Sequence, residues 1–177
     1  MNVYDFDKTI FYPDSSYKFI LYSVKKYPRY FLRLIPKLLK CSSVTEFKEL
    51  LFGVISYIPD IDSYVKDFWD LNFCRIQNWY LKMHKDDDLI ISASPDFLIK
   101  EAAKRLNCRY IATPMSRNSG LILGNNCHDK EKLRRFNLLF NDELIDEFYS
   151  DSLSDAPLAC ISKKAFLVKK NKITEWP

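Results

Sequence analysis

Residues 1–9 read MNVYDFDKT, and this stretch places two carboxylates directly after a short apolar segment. The mixture of apolar and β-favouring residues from Met1 to Phe6 predicts a short buried strand. Asp5 and Asp7 follow at its carboxyl end, where side chains two residues apart can reach the same cleft. A two-aspartate string is weak evidence by itself. Its meaning therefore depends on the polar residues that follow the other predicted strands.

Strand and helix patterns alternate after the acidic turn at residues 86–88. Ser94 and Pro95 form a typical helix start, an N-cap followed by proline at the first helical position. The patterns predict strands at 89–91, 109–113, 121–123, 145–150 and 165–168, and helices from Pro95 to Leu106, at 129–139 and at 154–160. Such alternation is typical of an α/β protein with a parallel sheet.

The segment from Ser15 to about Met83 has helical spacing and many aromatic residues instead. Pro28 and Pro36 are expected to break or kink this helical block. Residues 43–46 have the form of a capping box, which predicts a helix through Ile55, and a further helix is expected over 62–83. We therefore predict a sheet-containing core at 1–11 and 86–177, with a helical insertion at 12–85.

The composition limits the possible classes of protein. The chain has 177 residues, of which 47% are hydrophobic and three are glycine. This length fits one domain or one core with a small insertion, and so few glycines exclude a glycine-rich phosphate loop. No apolar run approaches the ~18 residues that span a bilayer, and five scattered cysteines indicate free thiols, so we expect a cytoplasmic protein. A zinc site at Cys108, Cys127 and His128 is conceivable, but the spacing of these residues matches no structural-zinc pattern, and small buried side chains are the simpler interpretation.

Four more polar residues stand at predicted strand ends or helix starts. Ser92 follows the apolar strand 89–91, Lys132 lies near the start of a helix, and Asp151 and Asp155 follow the strand 145–150. Groups beyond the carboxyl ends of the strands converge in one crevice of an open α/β sheet. We therefore expect these residues to meet Asp5 and Asp7 although the chain separates them widely.

Several carboxylates, one lysine and one hydroxyl suit a site for Mg²⁺ and a phosphate group, because Mg²⁺ prefers oxygen ligands. A carboxylate that attacks a phosphate dianion meets a repulsion of about 4 kcal/mol per charge pair at ~4 Å. Positive charge from Mg²⁺ and Lys132 would offset this repulsion, and Ser92 would donate a hydrogen bond to the phosphoryl oxygens. One aspartate could then act as nucleophile while its neighbour handles the proton of the leaving group.

The ordered set of motifs resembles the haloacid dehalogenase superfamily, in particular its phosphoserine-phosphatase-like branch. The four matching segments are residues 5–9, 91–95, 126–132 and 149–155. The resemblance implies a Rossmann-like parallel-sheet core, with the insertion at 12–85 as an all-helical cap. It also implies these roles: Asp5 as nucleophile, Asp7 as general acid/base, Ser92, Lys132 and Thr9 at the phosphoryl group, Asp5, Asp7 and Asp151 at Mg²⁺, and Asp155 in support of the metal.

Departures from the family pattern mostly concern glycine. Lys8, Ala93, Asp129 and Ser150 stand where glycine is common, but none of them removes a chemical group. Lys130 competes with Lys132 for the lysine role, and the spacing from residues 126–127 favours Lys132. Thr9 has an alternative as well, because its hydroxyl could hold the loop without touching a substrate.

The sequence therefore predicts a magnesium-dependent phosphomonoester hydrolase that forms an aspartyl-phosphate on Asp5 and acts on a small or lipid phosphate. A non-catalytic phosphate-binding or regulatory module of the same fold is an alternative. Residues 11–40 carry seven basic residues and one acidic residue. This stretch could be a solvated helical face, a surface for peripheral contact with anionic lipid, or a landing site for a phosphorylated substrate. Nucleic-acid binding through residues 18–40 is a further alternative, although no nucleic-acid partner is expected. The oligomeric state is not predicted.

Overall fold

A six-stranded sheet with the strand order β3-β2-β1-β4-β5-β6 organises the computed structural model, which describes residues 1–140, 143–170 and 172–177. Neighbouring strands are parallel except β5 and β6, which form an antiparallel pair. The strands are β1 (Asn2–Asp5), β2 (Leu89–Pro95), β3 (Arg109–Thr113), β4 (Ile145–Ser150), β5 (Ser162–Lys169) and β6 (Lys172–Glu175). The predicted α/β fold class with a Rossmann-like, mainly parallel sheet is confirmed.

β1 lies in the middle of the sheet, and its alternating side chains enter two separate hydrophobic cores. Val3 packs with Leu89 and Phe148 on one face, and Tyr4 packs with Ile90 on the other. Successive side chains of a strand point to opposite faces, so a strand buried on both sides is apolar throughout. Asp5 pairs in register with Ile91 at the carboxyl end of β1, which places the aspartate at the edge where parallel strands end.

Helices that follow the strands cover both faces of the sheet. They are α6 (Asp96–Arg105), α7 (Lys130–Leu139) and the short α8 (Ala156–Ala159). Leu98 and Ile99 of α6 belong to the core that contains Tyr4, whereas Phe136 of α7 and Leu158 of α8 belong to the core that contains Val3. The sheet is thus the middle of three layers.

Five helices lie between β1 and β2. They are α1 (Ser15–Lys26), α2 (Pro28–Leu38), α3 (Val44–Phe52), α4 (Ile61–Asn72) and α5 (Asn78–Met83), with 3₁₀ turns at Gly53–Tyr57 and Phe73–Arg75. Trp69 of α4 is fully buried, and its indole N–H donates to the Leu98 carbonyl at 2.9 Å. The helical insertion and one face of the sheet therefore share a hydrophobic core. The domain boundaries at 11/12 and 85/86 stay a prediction.

The structure corrects four details of the predicted elements. β2 continues to Pro95 and α6 begins at Asp96, so Ser94 is not an N-cap. Residues 121–123 form no strand, and Ile122 makes only an isolated bridge with Met115. The helix expected over 62–83 ends at Asn72 and resumes at Asn78 as α5. β6 was not predicted. No described helix has the length and apolarity needed to cross a bilayer.

Candidate active site

Asp5 is held at the carboxyl end of β1 through both of its carboxylate oxygens. Oδ1 accepts from the Lys132 ammonium at 2.6 Å, and Oδ2 accepts from the Thr9 hydroxyl at 2.9 Å. Burial raises the pKa of Asp5 to about 7, with the charge of Lys132 opposing this shift and the charges of Asp155 and Asp7 adding to it. The single ammonium of Lys132 thus contacts two carboxylates, those of Asp5 and Asp155, and can neutralise the charge of only one of them. The site holds excess negative charge around a fixed, buried carboxylate.

Lys132 joins two elements that the sequence separates by more than a hundred residues. It lies in the first turn of α7, is 2% exposed, and donates to Asp155 at 2.7 Å as well as to Asp5. Burial opposes its positive charge, but the charges of Asp5 and Asp155 outweigh burial and raise the pKa of Lys132. Lys130 is exposed, so the structure favours Lys132 of the two lysines that the sequence offered.

Asp7 is positioned by the helical insertion. Its Oδ1 accepts from the backbone N–H of Ser15, the first residue of α1, at 2.5 Å. Its Oδ2 accepts from the Ser94 hydroxyl at 2.5 Å, and Ser92 Oγ lies 3.4 Å away. Burial raises the pKa of Asp7 to about 6, and the charge of Asp14 adds to the shift while the bonds from Ser94 and Ser15 oppose it. A carboxyl with such a pKa can carry a proton near neutral pH.

Thr9, Ser92 and Asp151 show how the strand ends are fastened together. Thr9 is fully buried, and its hydroxyl also accepts from the Asp151 backbone N–H at 2.9 Å. Ser92 is fully buried and accepts from the Ser94 backbone N–H at 3.0 Å. In the structure Thr9 therefore holds the two loops, and neither hydroxyl lines the cavity described next. Their predicted contacts with a phosphoryl group stay predictions.

A cavity of about 610 Å³ opens above these residues, between the sheet and the helical insertion. Its floor contains Asp5, Asp7, Lys132, Asp151 and Asp155, so the fold brings together the aspartates and the lysine that the sequence singled out. The opposite wall comes from the insertion and is mainly apolar; it includes Tyr17, Ile20, Val44, Phe47, Leu51 and Phe52. The cavity thus has a charged end and an apolar end.

Lys48 of α3 is a cavity residue that the sequence analysis did not identify. Its ammonium donates to the Ala93 carbonyl at 2.5 Å and to Asn126 Oδ1 at 3.0 Å, which ties the insertion to β2 and to the loop before α7. Burial lowers the pKa of Lys48 to about 8, although the charges of Asp7 and Asp14 oppose this shift. A single lysine on an amphipathic helix carries no motif. The one sequence feature that could have indicated a place for Lys48 in the cavity is its position on α3, next to Phe47 and three residues before Leu51.

Two backbone positions agree with the glycine preferences noted above. Lys8 has φ 62° and Asp129 has φ 54°, and both stand where the family commonly has glycine. Positive φ is unfavourable for residues with a Cβ, so glycine is preferred there. In this chain a lysine and an aspartate adopt positive φ at these two positions.

The donor set at the charged end fits a hard divalent cation. Oδ1 of Asp155 is buried without a hydrogen-bond partner among the described residues, and the Asp151 carboxylate on the cavity wall accepts no hydrogen bond from them. Within the described residues, no three His, Cys, Asp or Glu side chains are grouped closely enough to hold a metal by themselves. Mg²⁺ usually takes one or two protein carboxylates and completes its shell with water and phosphate, so two carboxylates suffice.

Several solved structures of other proteins have a fold similar to that of this chain. A protein of unknown function from Bordetella pertussis Tohama I has a TM-score of 0.70 at 18% identity, over 93% of this chain and 87% of that one. A phosphoserine phosphohydrolase-like protein from Francisella tularensis has a TM-score of 0.57 at 16% identity, over 97% and 90%. A phosphoserine phosphatase in its apo form has a TM-score of 0.52 at 15% identity, over 92% and 82%. At such identities the likeness shows a shared fold.

No curated protein sequence matches the chain at a significant level. The profile of the haloacid dehalogenase-like hydrolases matches residues 3–159, a range that contains all four motifs and every aspartate of the cavity floor. The resemblance inferred from the motifs is therefore confirmed. This chain belongs to the haloacid dehalogenase-like hydrolase family.

Proposed function

We propose that the protein is a magnesium-dependent phosphomonoester hydrolase that uses Asp5 as its nucleophile. The observation that carries the proposal is the contact of Asp5 with Lys132 at the floor of a cavity that Asp7 and Asp151 also line. Asp5 is fixed through both oxygens, which holds a carboxylate ready for attack. Lys132, held in place by Asp5 and Asp155, supplies positive charge where the phosphoryl oxygens would lie.

The proposed reaction has two steps. An Asp5 oxygen attacks phosphorus as the bond from phosphorus to the leaving oxygen breaks, and Asp7 in its acid form gives that oxygen its proton. Asp7, now a carboxylate, then takes a proton from a water whose oxygen attacks the phosphorus of the aspartyl-phosphate. This second attack releases phosphate and regenerates Asp5. The hydrogen bonds from Ser94 and Ser15 keep Asp7 in place for both transfers.

A bound Mg²⁺, held by the Asp5 and Asp151 carboxylates and the Asp7 backbone carbonyl, would supply further positive charge to the phosphoryl oxygens. Asp155 would support this arrangement through Lys132. Without an added cation, the whole cavity lining has five aspartates and three lysines. This excess of negative charge is the reason to expect that the chain needs a cation to receive an anionic substrate.

The apolar end of the cavity supports a leaving group that is largely hydrocarbon. Ile20, Phe47 and Leu51 face the space in which the alcohol part of a monoester would lie, and Lys48 is the cation of that wall. A strongly polar leaving group would lose hydration against the apolar side chains of this wall, with few polar groups, Asp14, Ser16 and Lys48, to replace the lost water. We therefore favour aryl or alkyl phosphates, including lipid phosphates, over phosphorylated amino acids.

The test of the reaction is phosphate release from an aryl phosphate with Mg²⁺ present. We expect Asp5→Asn to lose nearly all activity and chelation to abolish it, whereas Asp67→Asn, an exposed site on α4, keeps the wild-type rate. Full activity of Asp5→Asn would overturn the proposal. A phosphoryl-protein that persists for hours without turnover would instead support the regulatory alternative.

The test of the leaving group compares kcat/KM for aryl, alkyl and amino-acid phosphates. We expect Leu51→Asn to lower kcat/KM for the aryl and alkyl esters at least tenfold, because an apolar contact is worth about 1–3 kcal/mol in discrimination. The value for inorganic or very small phosphates should change little. Equal losses for all substrates would argue against an apolar subsite.

A further inference from the structure

Helix α2 exposes a strip of large apolar side chains. Leu32, Ile35 and Leu39 are 67%, 51% and 83% exposed, and their spacing of three and four residues places them on one face. Leu34, on another face, is 5% exposed and fixes the helix to the insertion. Leu39, just beyond the last helical residue, keeps a right-handed helical backbone and so continues the strip. We name these three residues the apolar strip.

A row of cations lies directly beside the apolar strip. Arg29, Arg33 and Lys37 are exposed and recur every four residues, so they occupy the neighbouring face of α2, and the exposed Lys40 follows just beyond the end of the helix. None of these four side chains makes an ion pair or a hydrogen bond with a described residue. We name them the basic strip. From Ser15 to Thr45 the sequence has no acidic residue that could neutralise it.

This combination has a specific physical consequence. Exposed leucine and isoleucine side chains gain from transfer out of water, and unpaired cations gain from a surface of negative charge. An anionic bilayer offers both at once, since acyl chains lie beneath a layer of phosphates. An acidic protein partner would have to match the two strips in shape, whereas a fluid bilayer needs only the amphipathic face.

We propose that α2 is a docking surface for an anionic lipid bilayer. The apolar strip enters the boundary between headgroups and acyl chains, and the basic strip contacts the lipid phosphates. α2 packs against α3 through the Tyr30 hydroxyl, which donates to the Leu50 carbonyl at 2.5 Å. α3 carries Val44 and Phe47 of the cavity wall, so the docked bilayer lies beside the helix that forms the apolar end of the cavity.

The test is co-sedimentation of the full chain with vesicles of phosphatidylcholine that contain either 30% or no phosphatidylglycerol. We expect binding to the anionic vesicles only, and weaker binding at high salt because added ions screen the phosphates. Arg29→Glu/Arg33→Glu/Lys37→Glu should reduce the partition coefficient at least about a hundredfold. A matched variant with the same change in net charge, Lys66→Glu/Lys82→Glu/Lys164→Glu, should bind like the wild type.

A second pair of variants separates the apolar contribution from the charge. Leu32→Ser/Ile35→Ser/Leu39→Ser should lose most binding, whereas Leu71→Ser/Leu138→Ser/Leu144→Ser, at similarly exposed leucines, should keep it. Circular dichroism and hydrolysis of a soluble aryl phosphate check that each variant is folded, independently of vesicle binding.

Four outcomes would overturn the docking surface: no sedimentation of the wild type, equal binding to neutral vesicles, equal losses in the matched controls, or a dimer in solution that the apolar-strip variant dissociates. Because sedimentation needs no turnover, a failed docking test leaves the proposed reaction untouched, and the reverse also holds.

Discussion

Lys132 shows how much of the site depends on single charges. Its ammonium lies between Asp5 and Asp155 at 2.6 Å and 2.7 Å, and all three side chains are at most 9% exposed. Removing one partner of a buried ion pair leaves uncompensated charge, which is far more unfavourable than losing an exposed pair. Lys132 therefore contributes to the stability of the folded protein as well as to the proposed reaction.

We expect Lys132→Met to lower the free energy of unfolding by about 3–5 kcal/mol, because Asp5 and Asp155 would remain buried and close together. Urea denaturation measures the loss. The double variant Lys132→Met/Asp155→Asn should recover part of it, since one of the two carboxylates is then neutral. A double variant no more stable than the single one would show that the loss comes from packing instead.

The pKa of Glu131, the residue before Lys132, predicts how the stability of the protein varies with pH. The hydrogen bond from Arg134, followed by that from Arg135, lowers the pKa of Glu131 to about 2, although burial opposes this shift. The native state thus binds this proton less tightly than the unfolded chain does. The stabilisation is present above pH ~4.5 and is lost as the pH falls towards ~2.

We expect Glu131→Gln to be less stable than the wild type by about 1 kcal/mol at pH 7, a modest value because Arg134 is 59% exposed. The difference should shrink between pH 4.5 and pH 3, because Glu131 of the unfolded wild-type chain takes up a proton there while the native carboxylate stays ionised until the pH nears 2. Urea denaturation at these pH values measures both quantities. A difference that stays constant from pH 7 to pH 3 would contradict the assignment.

At the scale of elements, the loop between β3 and α7 meets the helical insertion at Gly120. This residue has φ +75°, and a Cβ built on it would overlap the backbone of Phe52 and Gly53. Gly124 in the same loop has φ +99° but no atom within 4 Å of such a Cβ. The two glycines share the left-handed backbone and differ in their contacts.

We expect Gly120→Ala to be clearly more destabilising than Gly124→Ala. Both variants carry the strain of positive φ, about 1–2 kcal/mol, but only the first also pushes two backbone segments apart. Chemical denaturation of the two variants measures the difference directly. Equal losses would mean that the loop moves away from the insertion without resistance.

The elements also show what the sequence could predict. Apolar runs such as Leu89-Ile90-Ile91 correctly gave the central strands, because a strand buried on both faces needs continuous hydrophobic residues. Ser94 and Pro95 gave a wrong helix start, since the Ser94 hydroxyl is committed to Asp7 and β2 continues past it. Local rules for helix ends could not detect that tertiary contact.

Other errors have similarly local causes. Residues 121–123 have the alternation of a strand, but only Ile122 finds a bridge partner. β6 was missed because KITE, residues 172–175, is short and mostly polar and gains its order by pairing with β5. The convergence of Asp5, Lys132 and Asp155 could be predicted because parallel strands end at one edge. The contribution of Lys48 could not, since it depends on how α3 packs over that edge.

At the scale of the whole molecule, Mg²⁺ should act on stability as well as on reaction. A ligand that binds only the native state stabilises it by about 2.7 kcal/mol at a hundred times its Kd. For a chain of this length we expect a rise in Tm of about 5–10 °C. Differential scanning calorimetry with and without Mg²⁺ measures the rise, which should be much smaller in Asp151→Asn and unchanged in Asp67→Asn. An equal rise in all three proteins would place the ion elsewhere.

The central position of β1 has a consequence for synthesis of the protein. β1 pairs with β2 on one side and with β4 on the other, and β4 ends at Ser150. A nascent chain leaving the ribosome therefore carries β1 without one of its two neighbouring strands until residues 145–150 have emerged. During that interval the edge of β1 that pairs with β4 in the folded protein is unpaired at Val3 and Tyr4. Truncated chains released at this stage would expose that edge and could aggregate through it.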